Sequence, residues 1–192
     1  MADQPGMLGG YQLETQVADN AWIGVRAGHR FLVRLVGAPV DGPALGRVPP
    51  MCTVRVVDGG PGYVVSELVE GPSLQSLVSG AGPRGGEELD RIAVRTLTAL
   101  SAIHQAGLVH GSFGPASVLL TAEGAVVDGY GVARGGVPAY AAPEQVAADQ
   151  FTAAGDLFAW AATMVYAATG RPPFGEGEAA GIFNRVLQGE PD

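Results

Sequence analysis

The stretch LVHGSFGPASVLL, residues 108–120, contains the residue types in this chain that could most directly perform chemistry. Its only polar side chains are those of His110, Ser112 and Ser117. A histidine can act as a general base, whereas a serine hydroxyl is neutral at pH 7 and is a poor proton acceptor. The residues that flank His110 are apolar, which favours a buried histidine over a catalytic base.

The basic residues narrow the chemistry further. All 11 residues of the combined Lys and Arg count are arginine, so the chain contains no lysine. Mechanisms that need a Schiff-base amine or the compact charge of an ammonium group are therefore excluded.

Charge and cysteine content exclude several classes of protein. The net charge of -8 and the lack of an arginine cluster argue against a nucleic-acid surface. Cys52 is the single cysteine, so no internal disulfide or cysteine-rich zinc site can form. No apolar stretch reaches the ~20 residues needed to span a bilayer. We therefore expect a cytoplasmic protein with no membrane segment in this chain.

The first third of the chain has the pattern of a small antiparallel sheet. Five short runs rich in Val, Leu and aromatic residues are separated by Gly, Pro and Asp; they are YQLETQVA, AWIGVRA, FLVRLV, CTVRVV and YVVSELV. Such runs are typical of strands joined by tight turns. Between Val36 and Met51, four prolines and three glycines exclude a regular helix.

The remainder is mostly helical. Ser73 is predicted to cap a short helix, and apolar residues from Leu89 to Ile103 recur at helical spacing before a stop at Gly107. The runs SVLL and GAVVDGY form a hairpin across TAEG. Residues 156–169 are apolar almost all round, which indicates a buried helix, and AAGIFNRVLQG predicts one more. This order predicts an α+β fold of two lobes with a cleft between them.

Several motifs, in this order, resemble a bacterial serine/threonine protein kinase domain of the actinobacterial type. They are SELVEGPSL, the stretch from His110 to Leu120, GYGVAR, VPAYAAPEQV, DLF at 156–158 and TGRPPF. The resemblance runs from Tyr11 to Asp192. It implies a protein-kinase-like fold with a tail over residues 1–10, a β-rich N-lobe lacking a regular αC helix over 11–69, and a truncated helical C-lobe over 70–192.

The resemblance also implies that this chain has lost its catalytic side chains. In the family, an Asp of the catalytic loop accepts the substrate's hydroxyl proton, and the same loop contains a Lys. An Asn of that loop and a second Asp bind metal. Those positions are occupied here by Ser112, Gly114, Ser117 and Gly129. Asp128 is an alternative Mg²⁺ ligand if the loop is shifted by one residue, although an Asp before Gly is commonly a turn former. No other metal ligand is predicted.

The same resemblance implies that the positions that bind the ATP phosphates in the family carry different residues here. Arg34 stands where the family has its phosphate-binding lysine. The three glycine positions of the phosphate-binding loop carry side chains; they are Ala18, Asn20 and Ile23. The hinge would still offer backbone groups to an adenine ring through Glu67, Leu68 and Val69.

Other matched residues have structural roles in this comparison. His110 packs in the core, Tyr130 fills an apolar slot, and Asp156 anchors the backbone of residues 110–112. Glu144 lacks the arginine partner that the family supplies. His29 and His104 are interpreted as surface residues.

Together these losses predict that the chain is not an enzyme but a pseudokinase, a protein-interaction or regulatory module. The alternatives are a divergent ATP-binding serine/threonine protein kinase with weak phosphotransfer activity, and a nonfunctional relic. No cofactor is required under the first interpretation; ATP would bind weakly and Mg²⁺ would not be expected. The predicted partner is a protein, such as an active kinase, a phosphopeptide-reading domain or an envelope-assembly protein.

Overall fold

The computed structural model of the chain describes residues 6–37, 40–132, 136–189 and 191. The end of the GYGVAR motif, with Arg134, lies outside the described residues, as does Asp192. The described chain forms a β-rich N-lobe and a largely helical C-lobe, so the predicted α+β, kinase-like fold is confirmed.

The N-lobe is built on an antiparallel sheet of six strands in the order β1-β2-β3-β4-β6-β5. The strands are β1 Met7–Leu8, β2 Tyr11–Ala18, β3 Ala21–Arg26, β4 His29–Leu35, β5 Val56–Gly60 and β6 Tyr63–Glu67. Val33 and Val65 are directly opposite each other on β4 and β6, and both are fully buried. This cross-strand pair fixes the register, because a shift by one residue would turn both side chains to the other face.

Two details of the sheet differ from the sequence prediction. β1 lies within the predicted tail and pairs with β2 through Leu8 and Tyr11. The run that starts at Cys52 begins its strand only at Val56. Its first residues instead bind the C-lobe: the Val54 N–H donates to the Val127 carbonyl and the Val127 N–H to the Cys52 carbonyl, each at 2.8 Å.

The segment between the fourth and fifth strands contains a helix of one turn, α1 Gly42–Leu45. The sequence predicted no regular helix in this segment, and this single turn is the one correction to that prediction. The turn forms because the Asp41 carboxylate accepts the Ala44 N–H at 2.9 Å. Leu45 is buried in the main core. The Arg47 guanidinium donates to the Ala106 carbonyl at 3.1 Å, which ties this segment to the C-lobe.

The C-lobe consists of helices packed around a hairpin. Its elements are α2 Leu74–Ala81, α3 Gly86–Gln105, β7 Val118–Thr121, β8 Gly124–Val127, α4 Pro143–Ala148, α5 Ala153–Thr169 and α6 Ala179–Gln188, with 3-10 turns at Pro115–Ser117 and Pro138–Tyr140. Leu100 and Ile103 of α3 and Ala159 of α5 belong to one buried cluster. Within the described ranges, no helix combines the length and hydropathy required of a membrane span.

The hinge between the lobes passes so close to β7 that residue 71 must be glycine. Gly71 has φ +153°, and a Cβ atom there would lie 2.2 Å from the Leu120 carbonyl oxygen. The next residue accepts the Leu120 N–H through its carbonyl at 2.9 Å, so the two segments cannot separate without losing this bond.

We expect Gly71→Ala to lower the free energy of unfolding by about 2 kcal/mol or more, through steric conflict added to backbone strain. The control is Gly177→Ala, since Gly177 has φ +117° but open space around its Cβ position. Urea denaturation would measure both variants. Equal losses in the two would show that the contact with Leu120 is unimportant.

Candidate active site

A cavity of about 250 Å³ lies in the cleft between the lobes. Its lining includes four polar side chains of interest from different parts of the fold; they are Arg34 of β4, Ser112 of the loop after α3, Ser117 of the following 3-10 turn and Asp128, which directly follows β8. These four residues, all singled out from the sequence, therefore lie at one cavity. Its cationic and anionic groups come from opposite lobes.

Arg34 and Asp128 form a bidentate ion pair across the cleft. Arg34 Nη1 donates to Asp128 Oδ1 at 2.9 Å, and Nη2 contacts Asp128 Oδ2. The side chains are 20% and 9% exposed, so water screens the pair only weakly. Paired N–H groups of a planar guanidinium match the two oxygens of a carboxylate, which gives the contact a fixed geometry.

The side chain that faces Arg34 is that of Asp128, whereas motif matching put the metal-binding aspartate at Gly129. Gly129 has φ +81° and donates its N–H to Asp128 Oδ1 at 2.8 Å, in a tight local turn. The Asp-Gly pair thus forms a turn and also directs a carboxylate into the cleft. The signal in the sequence was the position of Asp128 immediately after the apolar run that forms β8.

His110 lies beneath this turn and is 1% exposed. Its Nε2 lies 3.0 Å from the Asp128 carbonyl oxygen, and its ring meets Phe113 edge to face at 5.3 Å. Burial lowers the pKa of His110, so the neutral ring is favoured. The histidine therefore supports the backbone of residue 128.

Asp156 is buried at the start of α5 and accepts three hydrogen bonds. The N–H groups of His110 and Gly111 donate to it at 2.7 and 2.9 Å, and His104 Nε2 lies 2.8 Å from Oδ2. Burial alone would raise the pKa of Asp156, but these hydrogen bonds lower it below its ordinary value. Interpreting His104 as a surface residue was wrong, because its side chain is 19% exposed and bound to this carboxylate.

Tyr130 and Glu144 flank the site without entering it. Tyr130 is buried in the main core and its hydroxyl donates to the Val54 carbonyl at 3.0 Å. Burial raises its pKa to about 12. The Glu144 carboxylate accepts the Thr152 hydroxyl at 2.9 Å, and among residues with described positions it pairs with no arginine.

The serines do not replace the lost catalytic groups. Ser117 Oγ accepts the Gly114 N–H at 3.2 Å and donates to the Gly114 carbonyl at 2.8 Å, which closes the turn between them. The Ser112 N–H points to His110 Nδ1 at 3.4 Å, and its side chain lines the cavity. Neither hydroxyl is ionised near neutral pH, so neither serine is an effective proton acceptor. Asp128 supplies the one carboxylate among the described lining residues.

The hinge retains free backbone groups. The Glu67 N–H donates to the Arg55 carbonyl at 2.9 Å, while the exposed Glu67 carboxylate lies 3.8 Å from Arg55. Leu68 and Val69 follow the end of β6, and within the described ranges their backbone groups have no hydrogen-bond partner. These groups could pair with the edge of a planar heterocycle.

Asp128 is the only carboxylate among the described residues that line the cleft cavity. In the part of the chain that the structure describes, no group of three or more His, Cys, Asp or Glu residues could hold a metal ion. A Mg²⁺ ion bound mainly by phosphate oxygens needs only one or two protein carboxylates, so Asp128 fits this limited role.

Comparison with known proteins identifies the family. The model of the protein kinase domain matches residues 51–190, and the chain therefore belongs to the protein kinase domain family. The probable serine/threonine-protein kinase PkwA of Thermomonospora curvata is 33% identical over 76% of this chain and 22% of its own length. The serine/threonine-protein kinase AfsK of Streptomyces coelicolor is 35% identical over 71% of this chain and 20% of its own. The chain thus spans about a fifth of these relatives.

Solved structures show the same fold. The PknI kinase domain of M. tuberculosis superposes with a TM-score of 0.77 at 18% identity, covering 94% of this chain and 79% of that one. The Rad53 kinase domain gives a TM-score of 0.72 at 21% identity, with coverage of 95% and 74%.

The prediction that the chain is not an enzyme is wrong, because the relatives that show its family are named as serine/threonine-protein kinases. The inactive interaction module built on that prediction is withdrawn with it. That prediction rested on the loss of the proton acceptor, two metal ligands and the phosphate-binding lysine together. Phosphoryl transfer depends mostly on positioning and charge neutralisation, with little covalent work for the protein.

Proposed function

We propose that the chain is a divergent ATP-binding serine/threonine protein kinase domain with weak phosphotransfer activity. The observation that carries the proposal is the Arg34–Asp128 pair, which puts one cation and one carboxylate face to face in the interlobe cavity. The names of the relatives support the reaction class.

Nucleotide binding would use Arg34 in the cleft cavity together with the backbone of the hinge, where Val69 lines a separate cavity with Arg55 and Thr121. The backbone groups of Leu68 and Val69, which are bonded to none of the described residues, would bind the adenine edge. Arg34 would exchange Asp128 for a phosphate, since its planar N–H groups suit both anions. Affinity would be low, because each phosphate contact made by Arg34 costs its bond to Asp128.

Release from Arg34 would leave the Asp128 carboxylate facing the phosphates. Mg²⁺, when bound there, would neutralise phosphate charge and thereby favour transfer. Asp128 would hold its position through its backbone, since its carbonyl is fixed by His110 and its N–H by the Ser117 carbonyl at 2.9 Å.

In the reaction, a serine or threonine hydroxyl of a protein substrate would form a bond to the γ-phosphorus while the bond to the β,γ-bridging oxygen breaks. ADP leaves with the electron pair, and the hydroxyl proton passes to solvent. The loose transition state demands little of a base, so the rate falls without vanishing. Ser112 occupies the position from which a carboxylate would accept that proton.

The proposal is tested with ATP and a variant that restores a carboxylate. We expect wild type to be stabilised by ATP with Mg²⁺ by ~2 to 3 kcal/mol near a 100-fold excess over Kd, and to label a generic protein substrate slowly with γ-³²P-ATP. We expect Ser112→Asp to transfer roughly 100-fold faster, whereas the uncharged control Ser112→Asn should not. Absence of both ATP-dependent stabilisation and labelling, in wild type and Ser112→Asp, would refute the proposal.

The cytoplasmic location and the nature of any protein partner stay predictions. A protein substrate is the partner that the proposed activity requires.

A further inference from the structure

Helix α5 is apolar almost all round, yet one of its sides is uncovered. Between Ala153 and Thr169 the only charged residue is Asp156, which is buried. The side that faces solvent carries a row of exposed apolar residues, which we call the α5 face; they are Ala154, Leu157, Ala161, Val165 and Ala168. Leu157 and Val165 are 44% and 42% exposed. A helix that is apolar on every side is normally buried on every side, so the α5 face is a packing surface that the described chain leaves uncovered.

The apolar surface continues from α5 onto α3. Trp160, which adjoins the α5 face, donates its indole N–H to Thr96 Oγ1 at 3.0 Å, so the two helices touch beside it. Leu97 follows Thr96 and is exposed. It lies two turns before His104 on the same side of α3, and His104 binds the start of α5. Exposed apolar residues on two neighbouring helices thus form one patch, which is typical of a protein–protein interface.

The pattern of small and large residues in the α5 face is symmetric about Ala161. Leu157 and Val165 lie four residues to either side of it, and Ala154 and Ala168 lie seven residues to either side. A two-fold axis at Ala161 would bring Leu157 of one copy against Val165 of the second copy. It would also bring alanine against alanine at the axis and at both ends, where small side chains let two helices approach closely.

Charge favours a second copy of the chain over a partner of opposite charge. The net charge of -8 makes two copies repel each other over most of their surface. The α5 face contains no charged residue, so pairing through it brings no like charges into the interface. Interfaces between identical chains are also the more apolar class of protein–protein interface. A second copy therefore supplies a surface that matches this one in both shape and polarity.

We propose that two copies of the chain associate through the α5 face, with the two α5 helices antiparallel about a two-fold axis at Ala161. None of the residues of the α5 face lines the cleft cavity. The association and the proposed kinase activity are therefore independent of each other, and each is tested by its own measurement.

The association is measured by sedimentation equilibrium of the 192-residue chain over roughly 1 to 100 µM. We expect a reversible equilibrium between monomer and dimer. Ala161→Glu should weaken association at least ~100-fold, because it puts two carboxylates next to each other at an apolar axis. Leu157→Ala should weaken it about 10-fold. The control is Leu187→Glu, since Leu187 is exposed on α6 outside the α5 face, and it should change the dissociation constant by less than about 2-fold.

Cysteine cross-linking tests the position of the axis. With copper phenanthroline as oxidant, Ala161→Cys should form a covalent dimer, because the same residue of both copies meets at the axis. Ala168→Cys should not, because its two copies would lie roughly 20 Å apart at 1.5 Å per residue, beyond the reach of a disulfide. Wild type, whose one cysteine is the buried Cys52, gives the background. Circular dichroism would verify that each variant is folded.

The inference is overturned if the wild-type chain is monomeric throughout the concentration range, including the case in which its α5 face binds a different protein instead. It is also overturned if Ala161→Glu associates like wild type, or if Ala168→Cys cross-links as readily as Ala161→Cys.

Discussion

Replacement of Asp128 by alanine is expected to lower the free energy of unfolding by about 3–5 kcal/mol. The change leaves the Arg34 guanidinium, 20% exposed, without its bidentate partner in the cleft. Without Asp128, the guanidinium must either move toward water or stay poorly hydrated, and both raise the free energy of the folded state. Urea denaturation followed by the fluorescence of Trp22 and Trp160 would measure the loss.

A double variant separates the cost of an unpaired charge from the net value of the pair. Arg34→Met with Asp128→Leu replaces both groups by apolar side chains of similar size, and we expect its stability to lie within about 1 kcal/mol of wild type or above it. The double variant should also lose all stabilisation by ATP with Mg²⁺. If the single variant is as stable as wild type, the pair makes no contribution and the cleft geometry argued from it fails.

The elements of the fold could be predicted because each is encoded locally. A short run rich in apolar and aromatic residues predicted β2 at Tyr11–Ala18, and turn residues located the hairpin of β7 and β8. The start of α5 was predicted less accurately, at residue 156, whereas the helix begins at Ala153. The Thr152 hydroxyl accepts the Gly155 N–H at 2.9 Å and caps the helix, and the three added residues have no strong apolar pattern.

The site was harder to predict because its contacts join distant positions. Arg34 and Asp128 are 94 residues apart, and His104 and Asp156 are 52 apart. Helical or strand periodicity cannot predict contacts at such separations, since each contact depends on how two distant elements pack together. Motif matching located the loop of Ser112 and gave Gly129 as the metal-ligand position, with Asp128 as the alternative. The turn at Gly129 leaves the Asp128 side chain facing the cleft.

The pairing of Asp156 leads to the second large effect. Asp156→Asn should lower the free energy of unfolding by about 3–5 kcal/mol at pH 7, because an amide presents one acceptor where two N–H groups and His104 converge. Asp90→Asn is the control, since Asp90 is exposed on α3. It should alter stability by less than about 0.5 kcal/mol.

The pH dependence distinguishes this carboxylate from a merely well-packed residue. The folded-state pKa of Asp156 is lowered, so its stabilisation is complete above the unfolded value of about 3.9 and is lost as pH falls through the lower folded value. The gap in unfolding free energy between wild type and Asp156→Asn should therefore narrow as pH falls below about 4. If Asp156→Asn does not fold, His104→Ala gives a milder test, with an expected loss of about 1–3 kcal/mol. A gap that stays constant from pH 7 to pH 3 would mean that the ionised carboxylate does not hold the loop at His110.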